Sequence, residues 1–144
     1  MENKKEFGKI RFKMNQDPDG TLTVAECGNE LPFLVKRFFM ISDVPPDGKR
    51  GEHACKNSDF VYLCAHGSVK VLLDDGIKRE EYILRQDEGC GVFVPKMTWM
   101  EIYEFSEDAV LLVLASEKYE TGQYYSDYTC FRKKVSERGR ENEE

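Results

Sequence analysis

Short stretches that suit β-strands follow one another through most of the chain. Residues 8–14 (GKIRFKM) and 21–27 (TLTVAEC) alternate apolar with polar side chains, and the turn sequence DPDG lies between them at residues 17–20. A period of two is typical of a strand that buries one face. Further strands are predicted over residues 33–42, 60–65, 68–73, 78–84, 91–94, 99–105 and 109–115. Roughly ten short strands separated by turns predict an all-β sandwich or small barrel.

The pattern changes towards the end of the chain. Residues 109–115 (AVLLVLA) are continuously apolar, which predicts a strand buried on both faces. Beyond Tyr124 the alternation stops, and Asp127 is placed to cap a short helix. We expect the tyrosines of this segment to pack that helix, with covering a pocket as the alternative: Tyr124, Tyr125 and Tyr128. The charged segment 136–144 (SERGRENEE) is predicted to be a disordered tail, which leaves residues 1–135 as a single domain.

Composition narrows the classes of function. The chain has 144 residues and a formal net charge of -6, which argues against a nucleic-acid-binding protein because such proteins normally carry a basic excess. No apolar run approaches the roughly 20 residues that span a bilayer, and the first residues (MENKKE) lack the apolar segment of a signal peptide. The five cysteines form no CxxC pair. We therefore expect a cytoplasmic protein with reduced thiols and no membrane or nucleic-acid partner.

Two stretches of the chain have the residue spacing of a known pair of motifs. The first is RGEHACKNSD at residues 50–59, followed by Gly67; the second is Gly89, five residues, and PKMTWM at residues 95–100. They resemble the two motifs of cupin barrels, in which two histidines, an acid and a third histidine hold one metal ion. The corresponding positions here are His53, Cys55, Asp59 and Met100. This mixture of hard and soft donors suits a first-row metal poorly, so the sequence predicts a cupin barrel without metal that retains a ligand cavity.

A closer resemblance covers residues 21–131. It is carried by several segments in a fixed order: PFLVKR (32–37), RGxHAxK (50–56), GS (67–68), DDG (74–76), Trp99, AVLLVLAS (109–116), and Asp127-Tyr128 with Phe131. With these segments the chain resembles the sugar 3,4-ketoisomerase family. The resemblance implies a jelly-roll cupin, usually a homodimer with exchanged strands, that needs no cofactor. It also implies a thymidine-diphosphate-linked (dTDP-linked) 4-keto-6-deoxyhexose substrate, whose carbonyl moves from C4 to C3 in deoxysugar biosynthesis.

The implied reaction needs a base that removes the proton from C3 and returns one to C4 through an enediol. The family's histidine pair maps to His53 and Cys55, so His53 is the first candidate for the acid/base group. Cys55 is either a thiol that shuttles a proton or an inert filler. Arg37 and Arg50 are candidates for the diphosphate, since a guanidinium matches phosphate oxygens in a way that an ammonium does not. Lys56 is a further candidate for substrate binding. Trp99 and Tyr103, on one face of a predicted strand, are candidates for stacking on the thymine or sugar, with core packing as the alternative.

Several apolar residues stand where the family pattern has hydrogen-bonding groups: Phe39, Met40, Phe60 and Met100. They predict an inward face that is less polar than in the family. A catalytically silent cupin that binds a sugar nucleotide or a protein partner therefore remains the alternative to an isomerase, and a metal-dependent oxygenase is a third hypothesis.

Overall fold

The computed structural model describes residues 6–143. Residues 1–5, at the start of the predicted domain, and Glu144, at the end of the predicted tail, lie outside the described residues. The strands in chain order are β1 (Gly8–Arg11), β2 (Lys13–Asp17), β3 (Gly20–Val24), β4 (Arg37–Ser42), β5 (Arg50–Cys55), β6 (Phe60–His66), β7 (Ser68–Asp74), β8 (Arg79–Arg85), β9 (Cys90–Val94), β10 (Trp99–Tyr103), β11 (Val110–Ala115) and β12 (Tyr124–Tyr125). A single α-helix, α1 (Tyr128–Glu143), follows them.

Two five-stranded antiparallel sheets form the body of the molecule. One has the order β1-β9-β6-β11-β4 and the other β12-β5-β10-β7-β8, while β2 and β3 form a separate hairpin. Consecutive strands β6 and β7 belong to different sheets and are joined at Gly67, whose φ is +76°. A side chain there would place its Cβ 2.2 Å from the Ser106 hydroxyl oxygen, so the turn requires glycine. The predicted all-β jelly roll with a C-terminal helix is confirmed.

The main core lies between the two sheets. Tyr62, Val92, Leu111 and Val113 from one sheet are at most 1% exposed, and they form one cluster with buried residues of the other sheet such as Val71. Burial of each such side chain contributes about 1.5–3 kcal/mol. The continuous apolar run of β11 is explained by its position, because it pairs with β4 on one side and β6 on the other. Its outward residue Leu114 packs in a second apolar cluster on the outer face of that sheet.

The segment before β4 covers this outer face. The sequence predicts a strand over residues 33–42, but the strand begins only at Arg37. Phe33 and Val35 instead pack against the second cluster, which contains Ile10, Val61 and Phe93. A segment that packs across the face of a sheet can have the same local apolar pattern as a strand within the sheet. The prediction therefore extended the strand over residues that only cover the face.

Helix α1 covers the outer face of the other sheet. Phe131 is fully buried against Trp99 and Ala54. The helix extends to Glu143 and so includes residues 136–143, which the sequence predicts as a tail. That segment contains no proline and is rich in Glu and Arg, which have good helix propensity. Within the described residues, no helix is both long and apolar enough to cross a membrane.

A buried carboxylate fastens α1 to the sheet. Asp74 is 3% exposed and accepts hydrogen bonds from the Tyr128 hydroxyl, from the Gly76 backbone N–H and from Arg79 Nη1 at 2.8 Å. Burial raises the pKa of Asp74, but these three donors outweigh burial and leave its pKa below the usual value. Asp74 is therefore ionised at neutral pH and holds the first turn of the helix in place.

We predict that Tyr128→Phe lowers the free energy of unfolding by about 1.5 kcal/mol, because a hydrogen bond to a buried charge is lost. Urea denaturation followed by circular dichroism measures the change. Tyr125→Phe is the matched control: the Tyr125 hydroxyl has no hydrogen bond among the described side chains, so its free energy of unfolding should change by less than about 0.5 kcal/mol. Equal losses in the two variants would contradict this anchoring role of Asp74.

Candidate active site

A cavity of about 580 Å³ opens between the two sheets. This volume lies within the range of roughly 300–1,000 Å³ that is usual for small-molecule sites. Its floor is apolar and its rim carries the polar groups. The lining residues are Arg37, Phe39, Ile41, Arg50, Gly51, His53, Phe60, Tyr62, Met100, Ile102, Val113, Tyr119, Thr121, Gly122, Tyr124 and Ser126.

A β-bulge in β5 sets the direction of two of these side chains. Met100 of β10 pairs with His53, but the next residue, Glu101, pairs with Gly51, so Glu52 is an extra residue in β5. Glu52 has a φ of 57° and Gly51 one of 82°. Residues three apart in a regular strand point to opposite faces, whereas this insertion restores the same face. Both Arg50 and His53 consequently line the cavity.

Gly51 is required at the bulge for a second reason. A Cβ at this position would lie 2.4 Å from the Met100 sulfur, in addition to the strain of its positive φ. The thioether of Met100 thus packs directly on the glycine backbone beneath the cavity. The bulge, Gly51 and Met100 form one packed unit that supports His53.

His53 is a partly buried imidazole with an unsatisfied nitrogen. Burial lowers its pKa below the usual 6.5, so the ring is neutral at neutral pH and able to accept a proton. Its Nδ1 atom is buried and has no hydrogen-bond partner among the described residues. The edge of the Tyr124 ring approaches it with 4.9 Å between ring centroids.

The side chain of Arg37 connects the two sheets at the cavity. It lies on β4, the edge strand of the first sheet, and its Nη2 is 3.5 Å from the Tyr124 hydroxyl oxygen on β12, the edge strand of the second. The guanidinium also lies 5.2 Å from the Phe39 ring centroid and 5.6 Å from that of Tyr119. Its Nε is buried without a partner among the described residues.

The charge of the cavity is opposite to that of the whole chain. Its lining contains two arginines and no aspartate or glutamate, although the chain has a net charge of -6. Neither guanidinium belongs to an ion pair in the described part of the chain. A buried polar atom left unpaired costs about 1–3 kcal/mol. The cavity is therefore suited to an anionic, hydrogen-bonding ligand.

The second residue of the predicted catalytic pair does not line the cavity. Cys55 is 5% exposed, its thiol donates to Asn57 Oδ1 at 3.3 Å, and its cross-strand neighbour is Tyr124. Cross-strand neighbours share a face, so the larger Tyr124 stands beside the thiol and presents its own hydroxyl instead. The catalytic role of Cys55 stays a prediction, and its thiol lies behind the cavity wall beside Tyr124.

Trp99 and Tyr103 also lie elsewhere. Met100 and Ile102 of β10 point inward, and alternation sends Trp99, Glu101 and Tyr103 to the outer face. Trp99 is 4% exposed in the cluster beneath α1 and donates through Nε1 to Glu101. Tyr103 donates to Glu81 on the outside of the sheet. The structure therefore does not bring either residue to this cavity: Trp99 is packed in the core, the stated alternative, and Tyr103 lies at a separate surface hollow.

Lys56 lies just outside the cavity. Its Nζ donates to the Gly122 carbonyl at 3.1 Å and lies 4.6 Å from the Tyr125 ring centroid. Because Gly122 lines the cavity and Lys56 does not, Lys56 contacts the cavity wall from outside, and its role in substrate binding stays a prediction.

Sequence reasoning missed the contribution of the segment between β11 and α1. Tyr119, Thr121, Gly122, Tyr124 and Ser126 all line the cavity, whereas the three tyrosines from Tyr124 onwards were expected to pack the helix. That expectation holds for Tyr125 and Tyr128, which belong to the cluster at α1. The available signal was the density of tyrosines around a glycine turn in a segment that has no strand pattern.

The cupin metal positions do not fit a metal ion here. The Cys55 thiol donates a hydrogen bond to Asn57, and the Asp59 carboxylate accepts one from the Lys96 backbone N–H at 2.8 Å. Met100 packs on Gly51. Among residues 6–143, no three or more His, Cys, Asp or Glu side chains are grouped so that they could hold a metal ion.

Comparison with known proteins agrees with this geometry. The family model described as "FdtA: WxcM-like, C-terminal" matches residues 5–136. The chain belongs to the FdtA family. A curated relative, the TDP-4-oxo-6-deoxy-alpha-D-glucose-3,4-oxoisomerase of Aneurinibacillus thermoaerophilus, is 36% identical over 143 residues, which are 99% of each chain. The resemblance to sugar 3,4-ketoisomerases is thereby confirmed.

Two solved structures of FdtA-like proteins show the same architecture. A mutant of the 3,4-ketoisomerase QdtA from Thermoanaerobacterium thermosaccharolyticum, in complex with TDP-4-keto-6-deoxyglucose, is 33% identical with a TM-score of 0.86; the match covers 92% of this chain and 95% of that one. WlaRA, a TDP-fucose-3,4-ketoisomerase from Campylobacter jejuni, is 34% identical with a TM-score of 0.83, covering 90% and 95% of the two chains. The barrel is thus the cupin-type barrel of these ketoisomerases.

We predict that two thiols of the native protein react rapidly with a thiol-specific reagent. Cys27 and Cys130 are exposed, whereas Cys55, Cys64 and Cys90 are buried, and reaction requires an accessible thiolate. Timed labelling followed by peptide mass spectrometry identifies the sites, with denatured protein as the control in which all five react. Labelling of Cys55 as fast as that of Cys27 would contradict the burial of the Cys55 thiol and would favour Cys55 as a catalytic group.

Proposed function

We propose that this FdtA-family protein is a sugar-nucleotide 3,4-ketoisomerase that acts on a dTDP-linked 4-keto-6-deoxyhexose. The observation that carries the proposal is a single cavity that joins a neutral, partly buried histidine to two arginines and contains no carboxylate. A keto sugar on a diphosphate requires these two functions: a base near the hexose and cations for the phosphates. The 3,4-oxoisomerase activity of the curated relative and the sugar nucleotide bound to QdtA support the same substrate class.

His53 acts as the base in this proposal. Its neutral ring accepts the proton from C3 of the hexose, the electrons of the C3–H bond form the C3–C4 double bond of an enediol, and the proton returns at C4 while the oxygen at C3 becomes the carbonyl. The buried Nδ1 gains a ligand partner or receives the proton, which removes the cost of leaving it unpaired.

Arg37 and Arg50 hold the diphosphate. Both line the cavity, and the guanidinium of Arg37 retains donors that its single contact with Tyr124 does not use. Planar guanidinium groups bind phosphate oxygens in pairs, which fixes the orientation of the sugar nucleotide as well as its affinity. The apolar floor of Phe39, Phe60 and Met100 is suited to the deoxygenated carbon of the hexose rather than to a further hydroxyl group.

The product of this reaction is a 3-keto sugar nucleotide, which we assign to deoxysugar biosynthesis for cell-surface polysaccharide. We place the enzyme in the cytoplasm, where nucleotide-activated sugars are made. The competing hypothesis is a cupin that binds a ligand without catalysis. It is favoured by the apolar residues that stand where the family pattern is polar, namely Phe39, Met40, Phe60 and Met100. The activity experiment below distinguishes the two hypotheses.

A homodimer is the second part of the proposal. β4 pairs with β11 on one side only, and its outward residues Phe38 and Met40 are 63% and 62% exposed. Large apolar side chains on a sheet edge favour association with another copy. β1 is likewise an edge strand, so its pairing with β9 can be reproduced between two copies by strand exchange.

The test of activity is incubation with dTDP-4-keto-6-deoxyglucose in deuterated water. We expect deuterium in the hexose ring and a 3-keto product, and both should fall by about 10²–10⁴-fold in His53→Asn because the base is lost. Proton NMR follows exchange and product together, and binding of thymidine diphosphate to the variant checks that the cavity persists. Binding of the sugar nucleotide to the native protein without exchange would establish the silent cupin instead.

The test of assembly is sedimentation equilibrium. We expect a dimer at micromolar concentration and weakening by at least about tenfold in Phe38→Lys, since a charge would be buried in the interface. Ile77→Lys is the matched control, because Ile77 is 96% exposed in the turn between β7 and β8. A monomeric native protein, or equal behaviour of the two variants, would contradict the proposed interface.

A further inference from the structure

The proposed isomerisation moves one proton between oxygens as well as one between carbons. The hydroxyl at C3 must lose its proton as it becomes a carbonyl, and the carbonyl oxygen at C4 must gain one as it becomes a hydroxyl. His53 is occupied with the carbon-bound proton while the enediol exists. A second group that can both donate and accept a proton is therefore needed on the oxygen side.

Five hydroxyl groups line the cavity, and their positions differ. Tyr62 is 1% exposed in the core, and Tyr119 is 60% exposed at the rim. Thr121 and Ser126 carry aliphatic hydroxyls, which are far weaker acids than a phenol. Tyr124 is the phenol that contacts both catalytic features: its ring lies against His53, and its oxygen accepts from Arg37.

The hydrogen bond from Arg37 fixes the direction of the Tyr124 hydroxyl. Arg37 Nη2 donates to the phenol oxygen at 3.5 Å, so this bond does not use the hydroxyl proton of Tyr124, whose other near group is the Cys55 thiol. The cation also stabilises the oxygen while it carries negative charge. The cross-strand pairing of Tyr124 with Cys55 holds the residue at the place where the family resemblance positions a second histidine.

We propose that Tyr124 is a catalytic residue of this enzyme and relays the proton between the two hexose oxygens. This inference rests on the proposed 3,4-ketoisomerase function and assigns a second acid/base group to that site. The Tyr124 O–H bond breaks as the O–H bond at C4 forms. The O–H bond at C3 then breaks, its electrons form the C3 carbonyl, and the proton restores the Tyr124 hydroxyl. The phenol is unchanged at the end of each cycle.

The protonation state of Tyr124 agrees with this role. Burial raises its pKa above the usual value, and the nearby Arg37 lowers it by a smaller amount, so the hydroxyl is protonated at neutral pH and begins the cycle as a donor. Activity should consequently fall at high pH, when Tyr124 ionises. The separate fall at low pH belongs to His53 and lies below about pH 6.5, because its pKa is lowered by burial.

The test compares Tyr124→Phe with Tyr125→Phe on the dTDP-4-keto-6-deoxyglucose substrate. We expect kcat to fall by about 10²–10³-fold in Tyr124→Phe with little change in KM, as for removal of one donor to an enolate oxygen. Tyr125→Phe should match the native enzyme because Tyr125 faces the α1 side of the sheet. A Tyr124→Phe variant whose kcat stays within about twofold of the native value would overturn the inference.

A second variant keeps the ring and the hydroxyl and changes only the acidity. Incorporation of 3,5-difluorotyrosine at position 124 lowers the pKa of the phenol, so the high-pH fall in kcat should move to lower pH while the low-pH fall stays in place. A purely structural Tyr124 would leave both unchanged, which would refute the relay. Failure of the native protein to exchange deuterium would instead refute the 3,4-ketoisomerase function itself, and the two failures are thus distinguishable.

Discussion

One inserted residue in β5 determines whether this barrel has a site. Glu52 is the extra residue of a β-bulge, and because of it Arg50 and His53 point into the same cavity although they are three positions apart. A regular strand would turn one of them towards solvent or towards α1. The bulge in turn depends on Gly51, which alone leaves room for the Met100 thioether and tolerates its φ of 82°. The packing of Met100 on Gly51 and the orientation of Arg50 and His53 therefore depend on the same bulge.

The same arrangement explains how a cupin with few polar interior groups retains a reactive centre. Apolar residues close the floor and withdraw His53 from water, which keeps its imidazole neutral. The polar groups come from the edges of the two sheets, where Arg37 on β4 meets Tyr124 on β12. A cation and a phenol in a partly buried cavity act more strongly on a ligand than they would in solvent. Cys55 is thus accompanied by the hydroxyl of its cross-strand neighbour Tyr124 at the cavity wall.

The sequence predicted the parts of the structure that depend on local periodicity. Strands such as β7 and β11 lie where alternation or a continuous apolar run placed them, and the cavity is lined by His53, Arg37 and Arg50, which the family resemblance had made candidates. What it did not predict depends on contacts between distant segments. β5 has too few apolar residues to show a strand pattern, and its bulge is defined only by pairing with β10. Tyr124 entered the site through its pairing with β5, which its own neighbours in sequence do not reveal. Trp99 is the opposite case, because the sequence offered it as a site residue and it lies elsewhere. It alternates with Met100 along β10, so its side chain points to the outer face of the sheet and packs under α1.

The most direct test of this account is a crystal structure of the protein with a dTDP-linked 4-keto-6-deoxyhexose in the cavity. The account predicts that the diphosphate contacts Arg37 and Arg50 and that the hexose lies with C3 next to a His53 ring nitrogen. The oxygens at C3 and C4 should lie on the Tyr124 side, within hydrogen-bond reach of about 2.6–3.2 Å for the nearer one. A sugar bound on the outer face near Tyr103, or a hexose that leaves His53 without contact, would contradict it.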